Sequence, residues 1–163
     1  MHRSRYVLAA TAVALALAAS TALAQSIAPR EGWSVTPTTM SYPALLDALR
    51  EAVKANKMGL VTEAGPTEAA AARGETIPGN RVVGVFRNDF AVTALRASPA
   101  AMNEAPIRFY VTENADGTAT LSYKTPGFVF APYMTEGGAA LAAVAADLDA
   151  IFARIAADAT AAR

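Results

Sequence analysis

Two apolar spacings alternate along the chain, and each change of spacing marks an element. Over residues 32–36, Trp33 and Val35 share one side and Ser34 and Thr36 the other, the period of two that predicts a short strand, ended by Pro37. The period then lengthens: Leu45, Leu49, Ala52 and Val53 recur at helical spacing, with Asp47, Arg50, Glu51 and Lys54 opposite. This helix is expected to begin near Ser41, capped by its hydroxyl, to accept Pro43 in its first turn and to stop at Gly59. A strand over 60–63 and a Gly65-Pro66 turn follow. Residues 67–74 carry a capping Thr67 in front and Gly74 behind, enough for one or two helical turns. Beyond the Pro78-Gly79-Asn80 turn, residues 81–86 are β-branched and apolar on both sides, as in a central strand. Asn88 or Asp89 is placed to cap a helix through Ala97, and Ser98-Pro99 to open a short one that closes before Pro106.

Residues 106–113 and 118–124 flank Asn114-Ala115-Asp116-Gly117, a turn ending in glycine, and predict a β-hairpin. Ile107, Phe109 and Val111 share a face with Ala119, Leu121 and Tyr123 as core, leaving Arg108, Tyr110, Thr112, Thr120, Ser122 and Lys124 on a polar face. The stretch holding Phe128, Phe130, Tyr133 and Met134 is broken by Pro126, Gly127 and Pro132 and reads as irregular chain. A closing helix over 138–159 shows one stripe of Leu141, Val144, Leu148, Ile151, Phe152 and Ile155 that needs a sheet to cover. The order predicts the α+β class: a single two-layer domain with a mostly antiparallel sheet of about five strands, including the 106–124 hairpin, covered by two main helices.

The N-terminus reads differently. Arg3 and Arg5 precede an uncharged stretch over 6–19, and Ala22-Leu23-Ala24 supplies small residues two apart, the three parts of a secretory signal peptide cut between Ala24 and Gln25. The stretch is too short and Ala-rich for a spanning anchor, and no Cys follows for lipidation. The expectation is an exported, periplasmic domain over 25–163 with no stable membrane anchor after cleavage. Losing residues 1–24 removes the only histidine, His2, and with no cysteine in the chain this excludes disulfides, His-dependent triads and Cys/His zinc sites. Removing Arg3 and Arg5 from 14 basic residues leaves 12 against 14 acidic, with no basic cluster to hold nucleic acid.

The stretch from Val82 to Tyr133 carries Val83-Gly84-Val85-Phe86-Arg87-Asn88-Asp89, then Ala105-Pro106-Ile107-Arg108-Phe109-Tyr110-Val111-Thr112-Glu113, then Asp116-Gly117 and Leu121-Ser122-Tyr123 before Pro126. In order and spacing these resemble the domain of unknown function 302 family, with Met58-Gly59-Leu60-Val61 where that family has its second strand. The resemblance implies one sheet with helices and a possible homodimer. It carries over no catalytic residues.

Three groups are candidate ligand contacts. Arg87 and Asn88, at a strand end opening a helix, can meet an anion, although capping is the commoner use of such residues. Arg108, Tyr110 and Lys124 share a hairpin face and can bind a carboxylate or phosphate, against the ordinary use as exposed cross-strand pairs. Phe128, Phe130 and Tyr133 can rim an apolar space between sheet and last helix, or simply fill the edge of the core. Met40, Met58, Met102 and Met134 lack His or Cys companions, so no metal or cofactor is assigned. Glu104 with Glu113 or Asp89 are the carboxylates available for acid–base work, and Ser122 with Lys124 stand two apart on one strand, too loose for a nucleophile and its base. The leading reading is a non-catalytic binder of a small amphipathic or anionic molecule between the sheet and the C-terminal helix. A dimeric accessory protein is the alternative, and an enzyme working without His or Cys the third.

Overall fold

The computed structural model describes residues 27–161. The expected export segment, with Ala24 and Gln25, lies outside the described residues. In chain order the elements are β1 (Trp33–Ser41), α1 (Tyr42–Ala55), β2 (Gly59–Ala64), α2 (Thr67–Ala71), β3 (Asn80–Phe86), α3 (Asn88–Ala97), a 3-10 turn (Ala101–Glu104), β4 (Ile107–Glu113), β5 (Thr118–Lys124), α4 (Pro126–Phe130), a second 3-10 turn (Ala131–Tyr133) and α5 (Met134–Thr160). The five strands form one sheet in the order β1-β5-β4-β3-β2, each pair antiparallel. Helices cover one side of it, so the domain is α+β with two layers.

The β4–β5 hairpin holds the middle of the sheet because its inner positions are its most apolar. Phe109 pairs with Tyr123 and Val111 with Leu121 across the ladder, and all four are buried. Phe152 of α5 stacks on Phe109 with ring centroids 4.6 Å apart, and Tyr123 lies tilted at 5.0 Å from Phe109 and 5.6 Å from Phe152. Such clusters combine large buried area with favourable ring geometry. The α5 stripe of Leu141, Val144, Leu148, Ile151, Phe152 and Ile155 is buried throughout, beside Leu45, Leu49 and Val53 of α1. α5 has non-helical backbone at Gly138 (φ 55°), so its regular run begins where the stripe does.

Several boundaries differ from expectation. Pro37 does not end β1; the strand runs on to Ser41 with a register shift between Pro37 and Ser41, because β1 is an edge strand and a proline there removes no needed ladder bond. Ser41 is the N-cap of α1, yet its side chain makes no capping bond, and Pro43 lessens the need by lacking a donor. Gly59 is not the stop: the helix ends at Ala55, Lys57 takes the positive φ of 57°, and Gly59 starts β2. Thr67 does not cap α2; Pro66 is the N-cap, and the Thr67 hydroxyl accepts from the Asn80 amide at 3.3 Å, tying α2 to β3. Residues 126–133 are not irregular but form α4 and a 3-10 turn, with the Thr125 hydroxyl accepting from the Phe128 amide at 3.4 Å.

Among the described residues no helix packs across the other side of the sheet. Thr120 and Ser122 point there and are nonetheless fully buried. Register explains this: Ser122 stands between Val35 of β1 and Tyr110 of β4, and Thr120 between Pro37 and Thr112, so neighbours on both sides shield these short side chains.

Candidate functional site

Period-two alternation sends Arg108, Tyr110 and Lys124 to the helix-free side, away from the core positions Phe109 and Tyr123. One step beyond the Phe109–Tyr123 pair, the register sets Arg108 of β4 directly opposite Lys124 of β5. On the far side Lys124 pairs with Trp33 of β1, its ammonium 5.8 Å from the indole centroid, and the Arg30 guanidinium lies over the same ring at 5.3 Å. Opposite Arg108 in β3 is Gly84, where a Cβ would collide with the Thr62 hydroxyl and the Pro106 ring. The row therefore runs from a glycine through two cations to an indole.

A groove of about 310 Å³ lies along this row, walled by Trp33, Val82, Tyr110 and Val129, with Arg108, Lys124 and Glu104 as its charged members. Arg108 and Lys124 are both exposed, and among the described residues neither has a carboxylate within ion-pair distance. Like charges directly opposite across a sheet are destabilising. An anion between them removes the repulsion and gains charge-assisted hydrogen bonds.

The remaining candidates do not join this group. Arg87 is already paired: its Nε and Nη2 donate to Asp89 at 2.8 and 3.1 Å, and its guanidinium stacks over Phe90 at 4.1 Å. Arg87 itself is the N-cap of α3, no side chain caps that terminus, and Asn88 is the exposed first helical residue, so neither Asn88 nor Asp89 takes the expected capping role. Asp89 is the anion at this terminus, its carboxyl held below the usual range by Arg87. Ser98 does start the next turn as expected, its hydroxyl accepting from the Ala101 amide at 2.9 Å.

The aromatic segment splits in three directions. Phe130 is buried and lines an apolar cavity between sheet, α3 and α5, together with Phe86, Phe90 and Phe152. That cavity measures about 30 Å³, room for little more than a water or two and not for a ligand. Phe128 is exposed and lies against Gly32, whose φ of 72° and missing side chain make room for the ring. The Tyr133 hydroxyl donates to Glu104 Oε1 at 2.6 Å, which holds the phenol above its ordinary pKa. No common rim over an interlayer pocket results.

The carboxylates weighed for acid–base work are likewise apart: Glu104 meets Tyr133, Glu113 accepts from the Gly79 amide at 2.6 Å, and Asp89 meets Arg87. Among the described residues no three His, Cys, Asp or Glu side chains gather to hold a metal, and no helix is long and apolar enough to cross a membrane. Trp33 and Val82 belong to the groove but were not among the site candidates from sequence, and Glu104, a candidate there only for acid–base work, lines it as well. The Trp33/Val35 alternation is visible there, but the side of the sheet that it faces is set only by the β1–β5 register.

The family model for a domain of unknown function, DUF302, matches residues 33–157. A crystal structure of an uncharacterized conserved DUF302 protein from Bacillus stearothermophilus is similar with a TM-score of 0.65 at 18% identity, covering 79% of this chain and 96% of that one. At that identity the likeness is one of fold. No curated protein matches the chain.

Proposed function

The chain belongs to the DUF302 family, and from that premise we propose that it is a non-catalytic binding domain that holds a small amphipathic anion on the open face of its sheet. The observation that carries this reading is the Arg108–Lys124 juxtaposition, two exposed cations facing each other without a carboxylate partner among the described residues. Trp33, Val82 and Tyr110 supply apolar wall beside the charge, which suits a molecule with one anionic end and a flat or aliphatic body. The site differs in place from the one expected between sheet and C-terminal helix, where the cavity is too small. Export to a periplasm is part of the proposal, supported by Arg3, Arg5 and the Ala22-Leu23-Ala24 pattern. A mature mass beginning at Gln25 in a periplasmic fraction is the expected result.

A thermal-shift screen of carboxylates and organic phosphates tests the binding. Ligands that bind only the folded state raise its melting temperature in a saturable way. The expected result is a saturable rise for at least one anion that the Arg108→Gln/Lys124→Gln double variant loses and Arg87→Gln keeps. No saturable rise across the panel, or one that the double variant keeps, overturns the reading.

A second reading, self-association, rests on β2. It is one of the two edge strands, and its Leu60 and Val61 are 38% and 52% exposed. An open edge with apolar side chains invites pairing with another strand. The register shift between Leu60 and Thr62 works against it, since a bulge disturbs the ladder. Light scattering after gel filtration decides: a dimer that Val61→Lys converts to monomer supports this reading, and a wild-type monomer at high concentration ends it.

A further inference from the structure

The groove's charge is not of one sign. Glu104, at the end of the 3-10 turn before β4, lines the same space as Arg108 and Lys124 and is half-buried. It forms no ion pair with either cation, and among the described residues only the Tyr133 hydroxyl donates to it, at Oε1. That bond leaves Oε2 available and anchors the carboxylate to the 3-10 turn ahead of α5. An unpaired, partly desolvated carboxylate is costly unless it meets a donor or a cation.

We propose that the groove is selective for zwitterions, in particular molecules of the amino-acid type: the carboxylate lies between Arg108 and Lys124, the ammonium meets Glu104, and an apolar side chain packs on Trp33 and Tyr110. The inference rests on the anion reading above and adds Glu104 as the residue that sets specificity. The groove's volume of about 310 Å³ falls at the small end of ligand pockets, which span roughly 300–1,000 Å³. Trp33 and Tyr110 offer aromatic surface, and an indole face between two cations also favours a ligand that brings negative charge toward them. A simple anion would leave Glu104 facing the ligand's own charge, which weakens binding by like-charge repulsion.

Trp33 is the only tryptophan in the chain, so its fluorescence reports the groove directly. The probes are phenylalanine and leucine, each compared with its N-acetyl derivative, which lacks the ammonium, and its amide, which lacks the carboxylate. The expected result is saturable quenching or enhancement by a parent amino acid, with both derivatives weaker by about two- to fivefold, as befits the loss of one partly exposed ion pair. Glu104→Gln, which still accepts from Tyr133, is expected to erase the preference over the N-acetyl form while keeping the preference over the amide. If the N-acetyl form binds as well as the parent and the amide does not, the zwitterion proposal is overturned and the anion reading stands. If the amide binds as well as the parent, both fall. If no probe gives a saturable change, the zwitterion proposal is overturned, and the thermal-shift screen decides separately on the anion reading.

Discussion

The two faces of the β4–β5 hairpin are built from neighbouring residues and have opposite characters. On the inner face Phe109 and Tyr123 close on Phe152 with ring centroids within 5.6 Å of one another, and every one of them is buried. On the outer face, one residue before Phe109 and one after Tyr123, Arg108 and Lys124 stand opposite each other, exposed and without carboxylate partners among the described residues. The first arrangement packs three rings against one another out of water, which favours folding. The second sets two like charges opposite each other, with the Trp33 ring near Lys124, and adds little to folding. The same hairpin thus separates residues buried in the core from charged residues exposed on its outer face.

Substitutions on the two faces should therefore give effects of different size. Phe109→Ala opens a cavity beneath the sheet and is expected to cost about 3–5 kcal/mol in urea unfolding, whereas Lys124→Ala should stay within about 0.5 kcal/mol of wild type. Similar losses for both would end the distinction. Gly84 is the point where the outer face does carry packing, since a side chain there would strike Thr62 and Pro106. Gly84→Val is expected to cost about 1–3 kcal/mol by overpacking, measured in the same assay.

Ion pairing at the α1–β2 contact offers a smaller contrast. Arg50 donates through Nε and Nη2 to Glu63 at 2.8 and 2.7 Å and through Nη1 to Asp47 at 2.7 Å, a cation with two carboxylate partners where Arg108 has none among the described residues. The Arg50 hydrogen bonds hold the Glu63 carboxyl below its ordinary pKa despite partial burial. Because the folded-state pKa is depressed, the stabilisation is present above the unfolded glutamate value of about 4.3 and is lost as pH falls through the folded value. Glu63→Gln should lose about 1 kcal/mol or less near neutrality, given that Arg50 is 39% exposed, and its stability curve should meet the wild-type curve in acid. A gap that persists in acid would assign the effect to packing instead.

The smallest effect has the opposite sign. Replacing one cation of the unpartnered pair, as in Lys124→Thr, relieves like-charge repulsion and is expected to stabilise the ligand-free domain by about 0.2–0.5 kcal/mol, more at low salt. A destabilisation there would mean that the pair is compensated in the free protein.

Much of the fold was legible because it depends on short-range pattern. The hairpin, its turn, the division of its faces and the α5 stripe all follow from period two and period 3.6, which tolerate no alternative once one face is apolar. Boundaries were less legible because they depend on what the chain meets. Pro37 is tolerated because β1 proved to be an edge, and Thr67 was drawn from a capping role to the Asn80 amide of a strand 13 residues away. The candidate residues were legible by type and partly by place: Arg108, Tyr110 and Lys124 share a groove as their alternation predicts, while Phe130, Phe128, Tyr133 and Arg87 turn to a cavity, a glycine, a carboxylate and an aspartate.

What the sequence determined by itself is the set of local choices: where periodicity changes, which hairpin face is apolar, and that the chain after residue 24 has neither His nor Cys to offer a site. What only the tertiary structure decided is which pieces distant in sequence share a surface. Trp33 reaches Lys124 across 91 positions through the β1–β5 ladder, and Glu104, from the 3-10 turn, joins Arg108 in one groove. The physical reason is that alternation fixes side-chain direction relative to a strand, whereas strand order and register fix what that direction faces. Those are set by the burial of the whole apolar face at once, a quantity no single segment contains.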